Sequence, residues 1–150
     1  MKQLIIAASL LFFLPTAGLT SDKVLESYIA NYDYDSRIEM KISSKKLIDM
    51  VEDGKAVLVD IRFTEEQQTW GPTFALQIPL NELPDRLIEL PKDKIIVTAC
   101  PHKDQAIIAM SYLRSKGIKA RYLTDGLIGL AENLRGDNAL YFIKTLAENK

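Results

Sequence analysis

The chain has one cysteine, one histidine and one tryptophan among its 150 residues. The single cysteine, Cys100, cannot close an internal disulfide, and there is no Cys-x-x-Cys pair for dithiol cycling within one chain. One cysteine and one histidine, His102, fall short of a zinc ligand set, so no metal is expected. Glycine and proline are sparse, at seven and six residues, and no low-complexity stretch appears. Lys and Arg number 19 against 20 Asp and Glu, for a formal net charge of -1. Without a basic stripe or charge block, no nucleic acid partner is expected. No internal repeat is present.

Long apolar runs are missing, with one exception. Leu4 to Leu14 is apolar apart from Ser9, follows the positive charge of Lys2, and leads into Pro15-Thr16-Ala17-Gly18. This is the layout of a secretory signal peptide, so residues 1–20 are expected to be cleaved and the mature protein to be periplasmic or secreted. The run is shorter than the ~20 residues of a membrane-spanning helix, so no span is expected in the mature chain. An uncleaved anchor or an amphipathic helix is the alternative reading. No cysteine stands at the cleavage site, which excludes the bacterial lipoprotein route. What remains suffices for one domain with a real core.

Within that remainder, residues 21–38 form an acidic, tyrosine-rich lead-in. The pattern predicts a helix over Lys23–Asn31 and a loop at Tyr32-Asp33-Tyr34-Asp35. Ser43-Ser44 caps a helix with Leu47, Ile48 and Val51 inward, closed by Asp53-Gly54. Val57–Ile61 reads as a buried strand, Phe63–Thr73 as a loop, and Ala75–Leu80 as a short strand broken by Pro79. Asn81 opens a short helix to Leu90, with Pro84 in its first turn. Ile95–Ala99 and Ala120–Leu123 are further strands, with a helix over Asp104–Lys116 between them, stopped by Gly117. Helices are expected around Leu127–Leu134 and Asn138–Glu148. This alternation indicates an α/β domain with a mainly parallel sheet, whose active crevice lies beyond the carboxyl ends of the strands. Cys100 and the segment Asp60-Ile61-Arg62 both fall at such ends.

Cys100 therefore sits where a buried strand turns through a polar loop into a helix. A helix start offers free N–H groups and a positive dipole, which favour the nucleophilic thiolate. The alternative is a buried structural cysteine packing as a small hydrophobe.

Several segments resemble the rhodanese-like domains. Val57-Leu58-Val59-Asp60-Ile61-Arg62 is similar to the family's strand ending in Asp-x-Arg. Ile78-Pro79-Leu80-Asn81-Glu82-Leu83 is similar to its approach to a helix. Ile96-Val97-Thr98-Ala99-Cys100 resembles the strand bearing the catalytic cysteine. Gly117-Ile118, Ala120–Leu123 and Asp125-Gly126 resemble its late glycine-containing passage. The resemblance implies a rhodanese-like domain over 39–150, with helices on both faces of the sheet. The chain departs from the family at three places: Gln105 stands where an arginine commonly closes the loop, Asp125 replaces the first of two glycines, and Leu130 stands where a tryptophan often follows.

What the resemblance implies chemically is a sulfurtransferase, with Cys100 carrying sulfane sulfur as a persulfide. Its partners would be a small donor (thiosulfate, polysulfide or persulfide) and a thiol acceptor, cyanide or a partner protein, with no metal or organic cofactor. The loop Cys100-Pro101-His102-Lys103-Asp104-Gln105 would hold the persulfide with main-chain N–H groups. Pro101 brings no N–H. His102 and Lys103 are the loop's cations, each with a solvent-facing reading beside the catalytic one. Asp104 reads as the helix cap, its charge working against anionic donors. Gln105 offers a neutral amide in place of a guanidinium fork. Asp60 takes a supporting role. Arg62 either lines the rim or pairs on the surface with Glu65 or Glu66. Trp70 shields the mouth or packs on the sheet edge. Two further functions compete. One is a catalytically inactive rhodanese-like module that binds a protein or senses oxidation. The other is a Cys-x5-Arg phosphatase, which the missing arginine disfavours.

Overall fold

A computed structural model describes residues 21–149; the expected signal peptide lies outside the described residues. The elements run α1 (Ser21–Ala30), α2 (Tyr34–Glu39), β1 (Lys41–Ile42), α3 (Ser44–Glu52), β2 (Ala56–Asp60), α4 (Thr64–Thr69) and β3 (Leu76–Gln77), and a 3-10 turn at Leu87–Glu89 follows. Then come β4 (Ile95–Ala99), α5 (Asp104–Ser115), β5 (Ala120–Leu123), α6 (Gly126–Asn133) and α7 (Asp137–Glu148). The five strands pair in the order β1-β5-β4-β2-β3, and every pairing is parallel.

The core lies in two layers, one on each face of the sheet. Alternation along β2 sends Val59 to one face and Leu58 to the other. On one side α5 buries Ala106, Ala109, Met110 and Leu113 against Val59, Ile96 and Tyr122. On the other, Leu47 of α3 and Leu127 and Leu130 of α6 pack on Leu58, Val97 and Leu123. Phe142 of α7 closes this second layer, edge-on to Phe74 with ring centroids 4.8 Å apart. The sheet is thus covered by helices on both faces, as a buried parallel sheet requires. Among the described residues no helix is long and apolar enough to cross a membrane.

The strand order places β4 at the centre, with β2 on one side and β5 on the other. The chain leaves β2 outward to β3, then returns past β2 to β4. Asp60 lies opposite Ala99 in the β2–β4 register, so the ends of these two strands open onto one edge. Ile61 N–H donates to the Ala99 carbonyl at 3.0 Å and carries the pairing one step further.

Four local expectations change. The segment read as a loop over 63–73 contains α4, whose sequence Thr-Glu-Glu-Gln-Gln-Thr has no apolar period to betray it. Its start is held by the Glu66 carboxylate, which accepts the Phe63 N–H at 3.2 Å. The helix expected over 81–90 is a run of turns ending in the 3-10 turn. Pro84 has no N–H and pushes Leu83 out of helical geometry; Glu82 and Leu83 instead both donate to the Pro79 carbonyl. Asp33 accepts from Ser36 N–H at 2.8 Å, starting α2 inside the expected loop. The two-residue strand β1 adds a fifth member to the four strands expected; it is held by Tyr122 N–H to Met40 O and Thr124 N–H to Ile42 O.

Candidate active site

β4 ends at Ala99 because Cys100 turns away from the ladder into the loop 101–103 before α5 begins. The loop is pinned from behind by α6. Leu127 N–H donates to the Cys100 carbonyl at 2.9 Å and Ile128 N–H to the Pro101 carbonyl at 3.3 Å. Two of the N–H groups that a helix start leaves unpaired are thereby used on the loop. The contact requires glycine at Gly126, which has φ +63 and whose missing Cβ would collide with the carbonyl oxygens of Pro101 and His102. Asp125, beside it, accepts the Ser44 N–H at 3.1 Å and ties the same corner to the start of α3. Nothing in the composition marks Gly126 as a support for the loop. The signals are its place in the Thr124-Asp125-Gly126 turn and the likeness of Asp125-Gly126 to the family's late glycine-containing passage.

Cys100 is fully buried, at 0 % exposure. Its thiol donates to Asp104 Oδ1 at 3.6 Å. Burial pushes the thiol up, and the Asp104 charge adds to the rise; the main-chain N–H groups of Ala106, His102 and Gln105 pull it down, without prevailing. The helix-start argument had pointed to a stabilised thiolate. The donors it invoked are present, but desolvation of the charged form outweighs them. The sulfur is thus walled off from solvent, while three main-chain N–H groups favour its charged form.

The remaining loop residues divide by what they contribute. Pro101 supplies a carbonyl to α6. His102 and Lys103 are exposed, and His102 serves the sulfur through its main chain. Asp104 is the first residue of α5 and Lys103 holds the cap position without a side-chain cap bond, which corrects the reading of Asp104 as the cap. The Asp104 carboxyl is nevertheless held low, first by the N–H groups of Gln105 and of Asp104 itself. Gln105 is half-buried; its N–H helps lower both the Cys100 thiol and the Asp104 carboxyl.

At the neighbouring strand end the geometry is of another kind. Arg62 is fully buried, at 0 % exposure, rather than at the rim or paired on the surface. Its guanidinium meets Asp60, with Nη2 to Oδ2 at 2.6 Å and Nε to Oδ1 at 3.0 Å. Nη2 also donates to the Trp70 carbonyl at 2.6 Å and Nη1 to the Glu66 carbonyl at 3.3 Å. The Trp70 ring covers Arg62, with its centroid 4.3 Å from Cζ. Trp70 thus lids this ion pair rather than the cysteine pocket. Gln67 completes the knot by donating to the Asp60 carbonyl at 2.9 Å and the Arg62 carbonyl at 3.0 Å. A Cβ on Gly71 would fall 2.6 Å from Nη2, so the chain must pass there without a side chain. Asp60 and Arg62 are thus brought together with each other, and the Arg62 guanidinium is held on Asp60 and on the Glu66 and Trp70 carbonyls. Among the described residues no group of three or more His, Cys, Asp or Glu is placed to hold a metal ion.

A parallel α/β domain with a cysteine loop at the carboxyl edge of its central strand is the architecture of a rhodanese-like domain. The model of that family, described as the rhodanese-like domain, matches residues 43–132, and the chain belongs to this family. A sulfurtransferase of Allochromatium vinosum is 33% identical over 95 residues, covering 62% of this chain and 89% of that protein. An HTH-type transcriptional regulator of Mycobacterium tuberculosis is 36% identical over 92 residues, but the match spans only 41% of its length and 60% of this chain. Among solved structures, the reduced CoADR-RHD of Bacillus anthracis superposes with a TM-score of 0.57 at 30% identity, covering 63% of this chain and 17% of that one. The family is of sulfurtransferase type.

Proposed function

We propose that the protein is a sulfurtransferase in which Cys100 carries sulfane sulfur as a persulfide. The observation that supports this is the place of the only thiol of the chain, in the loop between the central strand and α5, where the main-chain N–H groups of Ala106, His102 and Gln105 favour its anion. In the first half-reaction the Cys100 thiolate attacks the sulfane sulfur of a donor. An Sγ–S bond forms, the donor's S–S bond breaks, and the leaving thiolate or sulfite takes the bonding pair. In the second, an acceptor thiolate, cyanide or a partner protein attacks the outer sulfur and Cys100 leaves as thiolate. The peptide hydrogens stabilise the anion in both states. Because the sulfur is enclosed, the reaction requires the loop 101–103 to open to a donor.

The N-terminal pattern extends this reading to an exported, periplasmic or secreted protein, tested by the mass of the mature chain isolated from cells. The activity is tested by intact mass after treatment with thiosulfate, polysulfide and glutathione persulfide. One added sulfur atom is expected on wild type and none on Cys100→Ser. No adduct with any of the three donors refutes the proposal.

Two observations favour a second reading, a catalytically inactive rhodanese-like module that binds a partner or senses oxidation. Cys100 has no solvent contact, and Gln105 replaces the loop arginine. Partner binding that survives Cys100→Ser, without turnover to thiocyanate, supports the module over the enzyme.

A further inference from the structure

Resting on the sulfurtransferase reading, we infer that Asp104 sets the donor class: the site rejects dianionic thiosulfate and takes sulfur from a hydropersulfide whose reacting end is neutral. The Asp104 carboxylate lies 3.6 Å from Sγ. A donor's sulfane sulfur must approach Sγ to make its bond, and this brings the rest of the donor beside the carboxylate. For thiosulfate that means two negative charges against a third. For a hydropersulfide, RS–SH, the attacked end carries none.

The charges around Asp104 do not reverse this. Arg62, at the neighbouring strand end, is bound to Asp60 and to two main-chain carbonyls. Gln105 is neutral. His102 attracts the Asp104 charge but, like Lys103, is exposed and screened by solvent.

The transfer balances without an added oxidant. Cys100 thiolate and RS–SH give Cys100–S–SH and RS⁻; the S–S bonding pair leaves with the thiol of the donor, and the proton stays on the transferred sulfur until the pocket or solvent removes it.

The full chain is assayed for thiocyanate formation with thiosulfate and with glutathione persulfide, as kcat/KM, for wild type and for Asp104→Asn. Two charges facing one exposed carboxylate are worth roughly tenfold in water at contact distance. We expect Asp104→Asn to raise the thiosulfate-to-persulfide ratio of kcat/KM by about that factor, and added salt to raise the wild-type ratio in the same direction. Taking the ratio removes any general gain in thiolate, which lifts both donors alike. Gln105→Arg, which adds a cation and keeps the Asp104 carboxylate, should raise the same ratio. A persulfide that forms on Cys100 while the ratio is unmoved by Asp104→Asn overturns this inference and leaves the sulfurtransferase reading standing. Failure of every donor to load Cys100 overturns both.

Discussion

Two strand ends meet at one edge of the sheet, and they are held by opposite means. At the end of β2 the side chains do the holding: Asp60 and Arg62 bury a full charge pair, roofed by Trp70 and laced by Gln67. At the end of β4 the backbone does it: α6 donates to the carbonyls of Cys100 and Pro101, and the loop's own amides face the sulfur. The first region holds its cation on Asp60 and on two main-chain carbonyls. The second region is left with peptide hydrogens, a neutral Gln105 and the Asp104 carboxylate. A loop that keeps its side chains free of structural duty is the one available to change its chemistry.

The sharpest way to break this comparison is to remove one half of the ion pair. Arg62→Ala leaves Asp60 charged and enclosed, which costs about 3–5 kcal/mol for a buried pair. Urea unfolding should show that loss, while an apolar double replacement such as Asp60→Leu with Arg62→Met should recover much of it. A cost below about 1 kcal/mol, the range of exposed pairs, would mean that the pair is wet.

Second in size is Gly126→Ala. It places a side chain in a left-handed conformation and against two loop carbonyls. A loss of about 1–3 kcal/mol is expected. Because the substitution strikes the backbone that pins the loop, Cys100 should also react faster with a thiol reagent. An unchanged reaction rate would show that α6 does not shut the pocket.

How much of this contrast the sequence discloses differs between the two ends. Ile95–Ala99 is β-branched and bounded by turns, so β4, the cysteine after it and the helix over Asp104–Ser115 are legible from pattern. The partnership of Asp60 and Arg62 is half legible: residues two apart on an extended chain share a face. Its enclosure is not, since it depends on carbonyls of Glu66 and Trp70 supplied by a helix with no apolar period. The thiol's raised proton affinity escapes the sequence for the same reason. A helix start is a local feature, but the desolvation that outweighs it comes from the apolar layer of Val59, Ile61, Ile78 and Ile96 around Cys100, residues brought together only by the fold.

That shift has a sign that can be measured. Burial raises the Cys100 thiol above its ordinary value, so the native state keeps its proton to higher pH than the unfolded chain does. The stabilisation is fully present below the unfolded thiol's value, near ~8.5, and is lost as pH rises from there through the folded value. Urea unfolding of wild type should therefore weaken more steeply above about pH 8.5 than that of Cys100→Ala. Sulfur loading should quicken over the same range as thiolate accumulates. Parallel stability curves for the two proteins would show that the thiol is not desolvated.

The smallest effects sharpen the contrast most. His102 and Lys103 are exposed and make no side-chain bond to the site. Replacing either by Ala should leave stability within about 0.5 kcal/mol of wild type, against the several expected at Arg62. If the loop is held by its peptide groups, its side chains are free to vary while the sulfur keeps its three donors. The same variants would then alter sulfur loading only through charge, an effect that salt removes. A stability loss at Lys103→Ala comparable to that at Gly126→Ala would put side chains back among the loop's supports. The two strand ends would then differ in degree rather than in kind.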